Sequence, residues 1–176
     1  LQLAGADRVL TMDLHAGQIQ GFFTIPVDHM TALPLFARHF RDMGMTGPGV
    51  VSVSPDAGRA RLAVRFAEMI DADFALIHKT RPAHEQVSVT AITGEVDGKI
   101  AIVGDDIIMT GGTLLANVDA LKAQGAKEVW VFATHGLFCD GGDHGCCQVI
   151  THDCCTTTES DAATSAAIAV AGPAAA

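Results

Sequence analysis

The segment formed by residues 100–113 constrains the fold of this chain most, because it combines three local signals in a fixed order. The apolar run at residues 100–103 is typical of a buried strand. Two adjacent carboxylates and then a pair of glycines follow, and helix-like spacing of apolar residues begins at Leu114. This order predicts a strand, a tight loop and a helix, which is the arrangement found where parallel sheets bind their ligands.

The loop of this segment has the chemistry needed to bind a phosphorylated sugar. Gly111 and Gly112 permit a tight turn that can point several backbone N–H groups at one phosphate near a helix N-terminus. Asp105 and Asp106 can accept hydrogen bonds from vicinal sugar hydroxyls or bind a divalent cation. The hydroxyl donors that complete the set are Thr110 and Thr113. A plain capped loop would account for the glycines alone, but it would not account for the acidic pair.

Elsewhere along the chain, segments with strand character alternate with segments of helical periodicity. Strands are predicted at residues 8–14, 50–53, 74–77, 99–103 and, as the last strand, 129–132. Residues 87–92 alternate in polarity, and we expect them to pair with residues 99–103 across an Asp97-Gly98 turn. Helices are predicted at residues 31–43, through Leu62, Phe66, Met69 and Ile70, and from Leu114 to an end at Gly125. The alternation predicts an α/β fold whose mostly parallel sheet is flanked by helices on both faces.

Composition excludes several classes of protein. The chain has 11 Lys and Arg against 20 Asp and Glu, and this formal charge of −9 argues against a nucleic-acid partner. Apolar runs stay well short of the ~18 residues that a membrane-spanning helix needs, so no membrane association is expected. The chain opens on Leu1 and has no signal segment, so we expect its start to be internal to a longer protein and its location to be cytoplasmic.

The last part of the chain, residues 139–176, has a different character. All five cysteines lie there, among histidines and without apolar periodicity, and the final residues are rich in alanine. The cysteines include no CxxC pair, so their spacing does not match the usual structural zinc sites. We interpret this part as a divergent, flexible tail.

Three further groups of residues follow predicted strands. Asp13 and His15 are two residues apart, so on a strand they would share one face and could contact a metal ion or a phosphate. Asp56 could hold a cation near the sheet edge, or it could simply cap the next helix. Lys79 and Arg81, in a predicted mobile loop, could close over a polyphosphate or could form an ordinary solvated face.

Together these stretches resemble the ribose-phosphate pyrophosphokinase family (phosphoribosyl pyrophosphate synthetases). The matching segments are residues 4–23, 25–28, 53–58, 77–82, 105–113 and 134–138, in the order of the family. The resemblance implies two stacked domains of type I phosphoribosyltransferase fold. It also implies Mg²⁺-dependent transfer of an intact pyrophosphoryl group from ATP to the C1 hydroxyl of ribose 5-phosphate, and a homo-oligomer is expected. Residues 1–31 would then be the trailing part of a first domain and residues 32–138 the second domain.

The resemblance also implies a role for each matched residue. His15 and Asp56 are expected on the Mg·ATP side, with Asp13 and Asp28 in the associated cation-binding stretch, and His15 also as a nucleotide contact. Lys79 and Arg81 are expected to be catalytic cations, and Arg81 is also expected to contact ribose 5-phosphate. The expected ribose 5-phosphate contacts are Arg81, Asp105, Asp106, Thr110, Gly111, Gly112 and Thr113.

The sequence departs from the family pattern at several places. Thr24 stands where the family often has aspartate, and Met109 replaces a usually acidic residue before the glycine loop. Because the segment that would form much of the nucleotide pocket lies upstream of Leu1 in the family, we expect an incomplete ATP site. Two alternatives remain at this point. They are a stand-alone phosphoribosyltransferase and a non-catalytic regulatory subunit that assembles with active synthetase chains.

Overall fold

The structure is a computed structural model that describes the backbone of residues 1–83, 86–109, 111–137, 148–152 and 168–172, and the side chains of residues 1–78, 91–109 and 111–137. The strands are β1 (Val9–Met12), β2 (Val27–Met30), β3 (Val50–Ser54), β4 (Asp73–Ala83), β5 (Gln86–Thr93), β6 (Ile100–Ile108), β7 (Glu128–Gly136), β8 (Gln148–His152) and β9 (Ile168–Gly172). The α-helices are α1 (Leu33–Asp42), α2 (Ala60–Ile70) and α3 (Gly112–Ala123). Short 3₁₀ turns cover Gln2–Ala4, Gly17–Phe22 and Ala57–Arg59.

A seven-stranded sheet, in the order β5-β4-β3-β6-β7-β9-β8, organises most of the chain. Its four central strands β4, β3, β6 and β7 run parallel, whereas β5, β9 and β8 are each antiparallel to a neighbour. All five residues of β3 are buried, as expected for a parallel strand covered on both faces. The predicted α/β class, with a mostly parallel sheet flanked by helices, is confirmed. Strands β1 and β2 form a separate parallel pair.

The two faces of the sheet carry different cores. On the face covered by α1 and α2, the rings of Phe36, Phe40 and Phe66 pack in tilted arrangements around Phe132, whose ring centroid lies 4.4 Å from that of Phe36 and 4.7 Å from that of Phe66. Gly104 of β6 lies against the Phe132 ring, and a Cβ at this position would overlap the ring. The opposite face packs aliphatic residues of β3, β6 and β7 under Leu121 of α3. Close packing on both faces fixes the positions at which the parallel strands end.

The predicted hairpin between residues 87–92 and residues 99–103 is wrong. β5 pairs antiparallel with β4, where Ile92 lies opposite Ile77, and β6 lies between β3 and β7. The residues that begin β6 form a continuous apolar run. Such a run is buried most completely in the centre of a parallel sheet, where helices cover both faces, and a hairpin would leave one face exposed. Gly98 lies in a left-handed turn, but its N–H donates to the Gly125 carbonyl, 2.9 Å away, and closes no hairpin.

Two other predictions about the strands also need correction. The segment with Lys79 and Arg81 was predicted to be a loop, but its backbone belongs to β4, with register shifts against β5 after His78 and after Thr80. Residues 129–132 were predicted to form the last strand, but β9 pairs with β7 and β8 pairs with β9. Both added strands carry β-branched residues, which favour extended backbone. The cysteine cluster considered for zinc lies outside the described residues.

Within the described ranges, no helix has the length and apolar character needed to cross a membrane.

Candidate active site

Several of the polar residues predicted to carry chemistry lie near the carboxyl ends of the parallel strands. β3 ends at Ser54, two residues before Asp56, while Asp105 and Asp106 lie in the second half of β6. The chain that leaves β1 crosses over the end of β7, where the His135 Nε2 lies 2.8 Å from the Met12 carbonyl oxygen. Ligands bind parallel sheets at this edge, so the fold places these groups where a substrate can reach them.

The acidic pair on β6 consists of two carboxyl groups in different environments. The Asp106 side chain is only 2% exposed, whereas the Asp105 side chain is 32% exposed. The Asp106 N–H donates to the Asp105 Oδ1 at 2.9 Å. Asp106 Oδ2 pairs with the Arg59 guanidinium and lies 2.9 Å from the His15 Nδ1. Asp105 therefore presents its carboxyl group to solvent, while Asp106 lies behind it.

The electrostatics of the pair separate the two carboxyl groups further. Burial and the neighbouring Asp106 raise the pKa of Asp105 to about 6, against the opposing effect of Arg59. Burial also acts to raise the pKa of Asp106, but Asp105, Arg59 and His15 together lower that pKa below its usual value. At neutral pH both groups are mainly ionised, and Asp105 takes up a proton first as the pH falls.

Asp13 and His15 do not form the pair that the sequence predicted. β1 ends at Met12, and Asp13 has a left-handed backbone with a φ of 42°, so the two residues are not on one strand face. The Asp13 Oδ2 accepts hydrogen bonds from the Ala32 N–H at 2.9 Å and from the Thr134 hydroxyl at 2.7 Å. Asp13 thus fastens the segment after β1 to the start of α1 and to β7, and His15 alone reaches the acidic pair.

Asp56 acts as the cap that the alternative interpretation expected. Its Oδ1 accepts the Arg59 N–H at 3.1 Å, and its carbonyl oxygen accepts the Ser54 hydroxyl at 2.6 Å. The cap begins the turn Ala57–Arg59, which continues into α2. It therefore fixes where the backbone of residue 59 lies.

Asp28 lies on β2 and forms an exposed ion pair with Arg8, which lowers the pKa of Asp28 below its usual value. Across the described part of the chain, no three His, Cys, Asp or Glu side chains cluster closely enough to hold a metal ion. The four predicted cation ligands, His15, Asp13, Asp28 and Asp56, are therefore not gathered into one preformed site. Mg²⁺ prefers oxygen ligands in octahedral geometry, and these residues offer it no such cage.

The glycine loop has the backbone geometry that the sequence predicted. Gly111 has a φ of 78°, its carbonyl accepts the Leu115 N–H at 3.0 Å, and α3 begins at Gly112 with no side-chain cap. Among the described residues, no side chain caps the first turn of this helix, so its N–H groups can serve an anion. Thr113 is exposed in that turn, and the side chain of Met109 is 55% exposed beside the loop. Thr110 and the side chains of Lys79 and Arg81 lie outside the described residues.

Arg59 was missed by sequence reasoning, although it makes the most polar contacts at this edge among the described residues. Its Nε lies 3.3 Å from Asp105 Oδ1, and its Nη2 contacts both Asp106 Oδ2 and, at 2.7 Å, His15 Nδ1. The available signal was its place three residues after a helix-capping aspartate at the end of a buried strand. Thr134 and His135 were matched only as part of a motif, and they prove to hold the segment after β1.

Comparisons with known proteins find one family by sequence and by structure. A family profile described as "Phosphoribosyl synthetase-associated domain" matches residues 76–145. A ribose-phosphate pyrophosphokinase of Fusobacterium nucleatum is 51% identical over 140 residues, which cover 80% of this chain and 44% of that protein. The crystal structure of a phosphoribosylpyrophosphate synthetase from Mycobacterium smegmatis has a TM-score of 0.68 and 42% identity, over 81% of this chain and 46% of that one.

The fold also extends to more distant structures. A purine phosphoribosyltransferase from Pyrococcus horikoshii has a TM-score of 0.53 at 22% identity, over 78% of this chain and 85% of that one. This likeness concerns the fold alone. The chain spans less than half the length of the synthetases that it matches. Their agreement with it in sequence and in structure shows that the chain belongs to the ribose-phosphate pyrophosphokinase family.

Proposed function

We propose that this chain carries the sugar-phosphate side of an enzyme that makes phosphoribosyl pyrophosphate and AMP from ribose 5-phosphate and ATP. The observation that carries the proposal is the acidic pair in the second half of β6, which lies a few residues before Gly111 and the N-terminus of α3. A carboxylate and the first-turn N–H groups of α3, at one sheet edge, complement the two ends of a pentose phosphate. Relatives with the corresponding name support the same reaction.

In the proposed complex, Asp105 accepts hydrogen bonds from the ribose hydroxyls, because its carboxylate is the exposed member of the pair. Asp106 supports it from behind, since this carboxylate is already bound to Arg59 and His15. The 5-phosphate binds at the first turn of α3, where Gly111, Gly112 and Thr113 lie and which Thr110 precedes.

The chemical step in this proposal is an attack of the C1 hydroxyl oxygen on the β-phosphorus of ATP. A new O–Pβ bond forms, the bond from Pβ to the bridging oxygen of the α-phosphate breaks, AMP leaves with that electron pair, and the hydroxyl proton passes to solvent. Lys79 and Arg81 would stabilise charge on the transferred group, Lys79 as a point charge and Arg81 as a bidentate donor. Arg81 would also contact the bound ribose 5-phosphate.

Magnesium enters this proposal only as the companion of ATP. The described residues offer no preformed cage for the ion, and Mg²⁺ commonly binds through substrate phosphates with one or two carboxylates. His15 is the proposed nucleotide-side contact, because its exposed ring is held at the acidic pair. Cytoplasmic location, homo-oligomeric assembly and the lack of nucleic-acid and membrane partners remain predictions.

Isothermal titration calorimetry of the chain with ribose 5-phosphate, in the absence of ATP, tests the proposal. We expect a measurable heat for ribose 5-phosphate, none for ribose, and at least a tenfold loss of affinity in Asp105→Asn, as for a lost hydrogen bond to a charged group. Asp119→Asn, an exposed acidic position on α3, is the matched control and should bind as the unchanged chain does. Equal binding by Asp105→Asn and the unchanged chain would rule out the assigned sugar contact.

A non-catalytic subunit that binds the sugar phosphate is the second candidate. It is favoured by Met109, an exposed thioether beside the loop that cannot accept a hydrogen bond of carboxylate strength. Restoring an acid with Met109→Asp should tighten ribose 5-phosphate binding under either function. Turnover in the presence of ATP separates the two candidates.

A further inference from the structure

Arg59 joins two parts of the site that lie on different elements. Its side chain is 20% exposed and reaches from the turn before α2 to both carboxylates of β6 and to His15, which follows β1. The contacts use two separate nitrogens, Nε on Asp105 and Nη2 on Asp106 and His15. A guanidinium suits this role because its donors lie in a rigid plane and remain charged at every relevant pH.

The two contacts of the His15 Nδ1 require different tautomers of the imidazole ring. Its Nδ1 lies 2.9 Å from the Asp106 Oδ2 and 2.7 Å from the Arg59 Nη2. A ring nitrogen in neutral histidine either carries a proton and donates or lacks one and accepts. Since a carboxylate only accepts and a guanidinium only donates, the Nδ1 can form a hydrogen bond with one of these neighbours and not with both. The choice also decides whether Nε2 carries a proton or a lone pair.

The surroundings of Asp106 favour the bond from the imidazole to the carboxylate. Asp106 Oδ1 is buried and has no hydrogen-bond partner among the described residues, so the whole charge of this group is compensated at Oδ2. A buried carboxylate with one unpartnered oxygen is costly unless strong donors serve the other oxygen. Arg59 alone supplies one donor there, and a proton on the His15 Nδ1 supplies the second.

We propose that Arg59 and Asp106 are positioning residues that hold His15 with its proton on Nδ1. The inference rests on the proposed function, because it assigns His15 to the nucleotide side of that same site. Arg59 anchors Asp106, Asp106 accepts the Nδ1 proton, and Nε2 of the exposed ring keeps a lone pair that can bind a cation or accept a hydrogen bond from the nucleotide. Carboxylate–imidazole pairs orient ligand-binding histidines in this way in many sites. Asp105 is then the member of the acidic pair that contacts the sugar.

The test compares Arg59→Gln and Arg59→Lys with the unchanged chain by ¹⁵N–¹H NMR of the imidazole rings, without ligand or metal and at about pH 8, where most histidines are neutral. A His15→Gln variant identifies the His15 signals. The matched control is Arg61→Gln, which removes an exposed arginine of α2 that takes part in none of these contacts. Thermal unfolding and titration with ribose 5-phosphate are measured on the same samples.

In the unchanged chain and in Arg61→Gln we expect the pattern of a ring protonated at Nδ1. In Arg59→Gln, Asp106 loses the anchor that holds its Oδ2 at the His15 Nδ1, so the pattern should move to the Nε2-protonated form that free imidazole side chains favour, and ribose 5-phosphate affinity should fall about tenfold. Arg59→Lys keeps the charge but loses the planar fork, so an intermediate pattern is expected. A merely structural role for Arg59 would lower the unfolding temperature without changing the tautomer of a folded protein.

Three results would overturn the inference. They are an Nε2-protonated His15 in the unchanged chain, an unchanged His15 pattern in folded Arg59→Gln, and, if that variant does not fold, an unchanged pattern in Arg59→Lys. If the unchanged chain gave no heat with ribose 5-phosphate, the proposed function would fail while the NMR comparison would still decide the role of Arg59. The two failures are therefore distinguishable.

Discussion

At the scale of single residues, Asn117 departs most clearly from what a stable core requires. Its side chain is fully buried on α3, and neither its amide nitrogen nor its oxygen has a hydrogen-bond partner among the described residues. Unpaired buried amides cost about 1–3 kcal/mol. Because Leu121 and Val118 on the same helix pack against aliphatic strands, an apolar side chain suits this position better.

We therefore expect Asn117→Leu to raise the free energy of unfolding by about 1–2 kcal/mol, since it keeps the branching at Cγ and removes the unpaired amide. Urea denaturation with the linear extrapolation measures the change. Asp119→Ala, two residues away on the exposed side, should change the stability by less than about 0.5 kcal/mol. A loss of stability in Asn117→Leu would mean that the amide has a partner in solution.

The acidic pair leads to a second prediction at this scale, which concerns how folding stability changes with pH. The sign of that change follows from the pKa of Asp105. Folding raises this pKa from an ordinary 3.8 to about 6, so the folded state holds the proton more tightly than the unfolded state. The contribution of Asp105 to stability is then most favourable below about pH 4 and is lost as the pH rises through 6. Asp106, with a lowered pKa, contributes in the opposite direction below pH 4.

Asp105→Asn should therefore gain stability relative to the unchanged chain as the pH rises from about 4 to 7, by about 1–2 kcal/mol after allowance for partial exposure. Denaturation at a series of pH values measures the difference between the two proteins. The same series on Asp119→Asn should run parallel to the unchanged chain. A constant difference for Asp105→Asn across this range would contradict the raised pKa.

At the scale of elements, the sequence predicted where strands and helices occur, but it predicted poorly which strands pair with each other. Apolar periodicity predicts β3, α2 and the start of β6, because the spacing of apolar residues shows whether one face or both faces of an element are buried. The strand that pairs with β5 could not be predicted in this way, since alternation identifies the two faces of a strand but not the strand beside it. The separation of Asp13 from His15 depends on a positive φ at an aspartate, which no local pattern required.

The candidate site divides in the same way. The acidic pair and the glycine loop lie on one continuous segment, so their chemistry could be predicted from sequence alone. The bridge from Arg59 to His15 joins residues 44 positions apart, and its existence depends on which strand ends meet at the sheet edge. The sequence predicted a helix cap as one of two roles for Asp56, but it did not predict that this cap would position Arg59.

The connection between β5 and β6 provides a prediction that separates steric overlap from backbone strain. Gly94 has a φ of 111°, and a Cβ there would come within 2.6 Å of the Phe74 carbonyl oxygen in β4. Gly98 in the same connection has a φ of 70° but faces open space. We expect Gly94→Ala to lower the free energy of unfolding by about 3 kcal/mol or more and Gly98→Ala by about 1 kcal/mol. Equal losses in urea denaturation would show that the approach to β4 relaxes without cost.

At the scale of the whole molecule, the segment after β1 connects the first part of the chain to the sheet. Three contacts hold it at the strand ends: the Met12 carbonyl with His135, the Asp13 carboxylate with Thr134, and His15 with Asp106. These contacts fall at the edge where the sugar phosphate is proposed to bind. An element that arrives from residues 1–31 therefore completes a site built mainly on β3, β6 and β7.

This arrangement bears on turnover, because the segment after β1 contributes His15 to the proposed nucleotide side and the chain spans 44% of its Fusobacterium relative. We expect the chain alone to bind ribose 5-phosphate and to release AMP from Mg·ATP at least a hundredfold more slowly than a version extended at its N-terminus to the length of that relative. The reason is that binding energy from the nucleotide is needed to place the β-phosphorus against the C1 hydroxyl.

Chromatographic measurement of AMP, with and without ribose 5-phosphate, gives the two rates. Asp105→Asn in the extended protein is the control, since at a low ribose 5-phosphate concentration it should slow sugar-dependent AMP release at least tenfold without affecting background ATP hydrolysis. Equal rates for the short and extended proteins would mean that the residues after Leu1 already hold a complete nucleotide site. In that case, β4 would be the first place to look for the missing nucleotide contacts, because Lys79 and Arg81 lie on β4 beyond the point at which β3 ends.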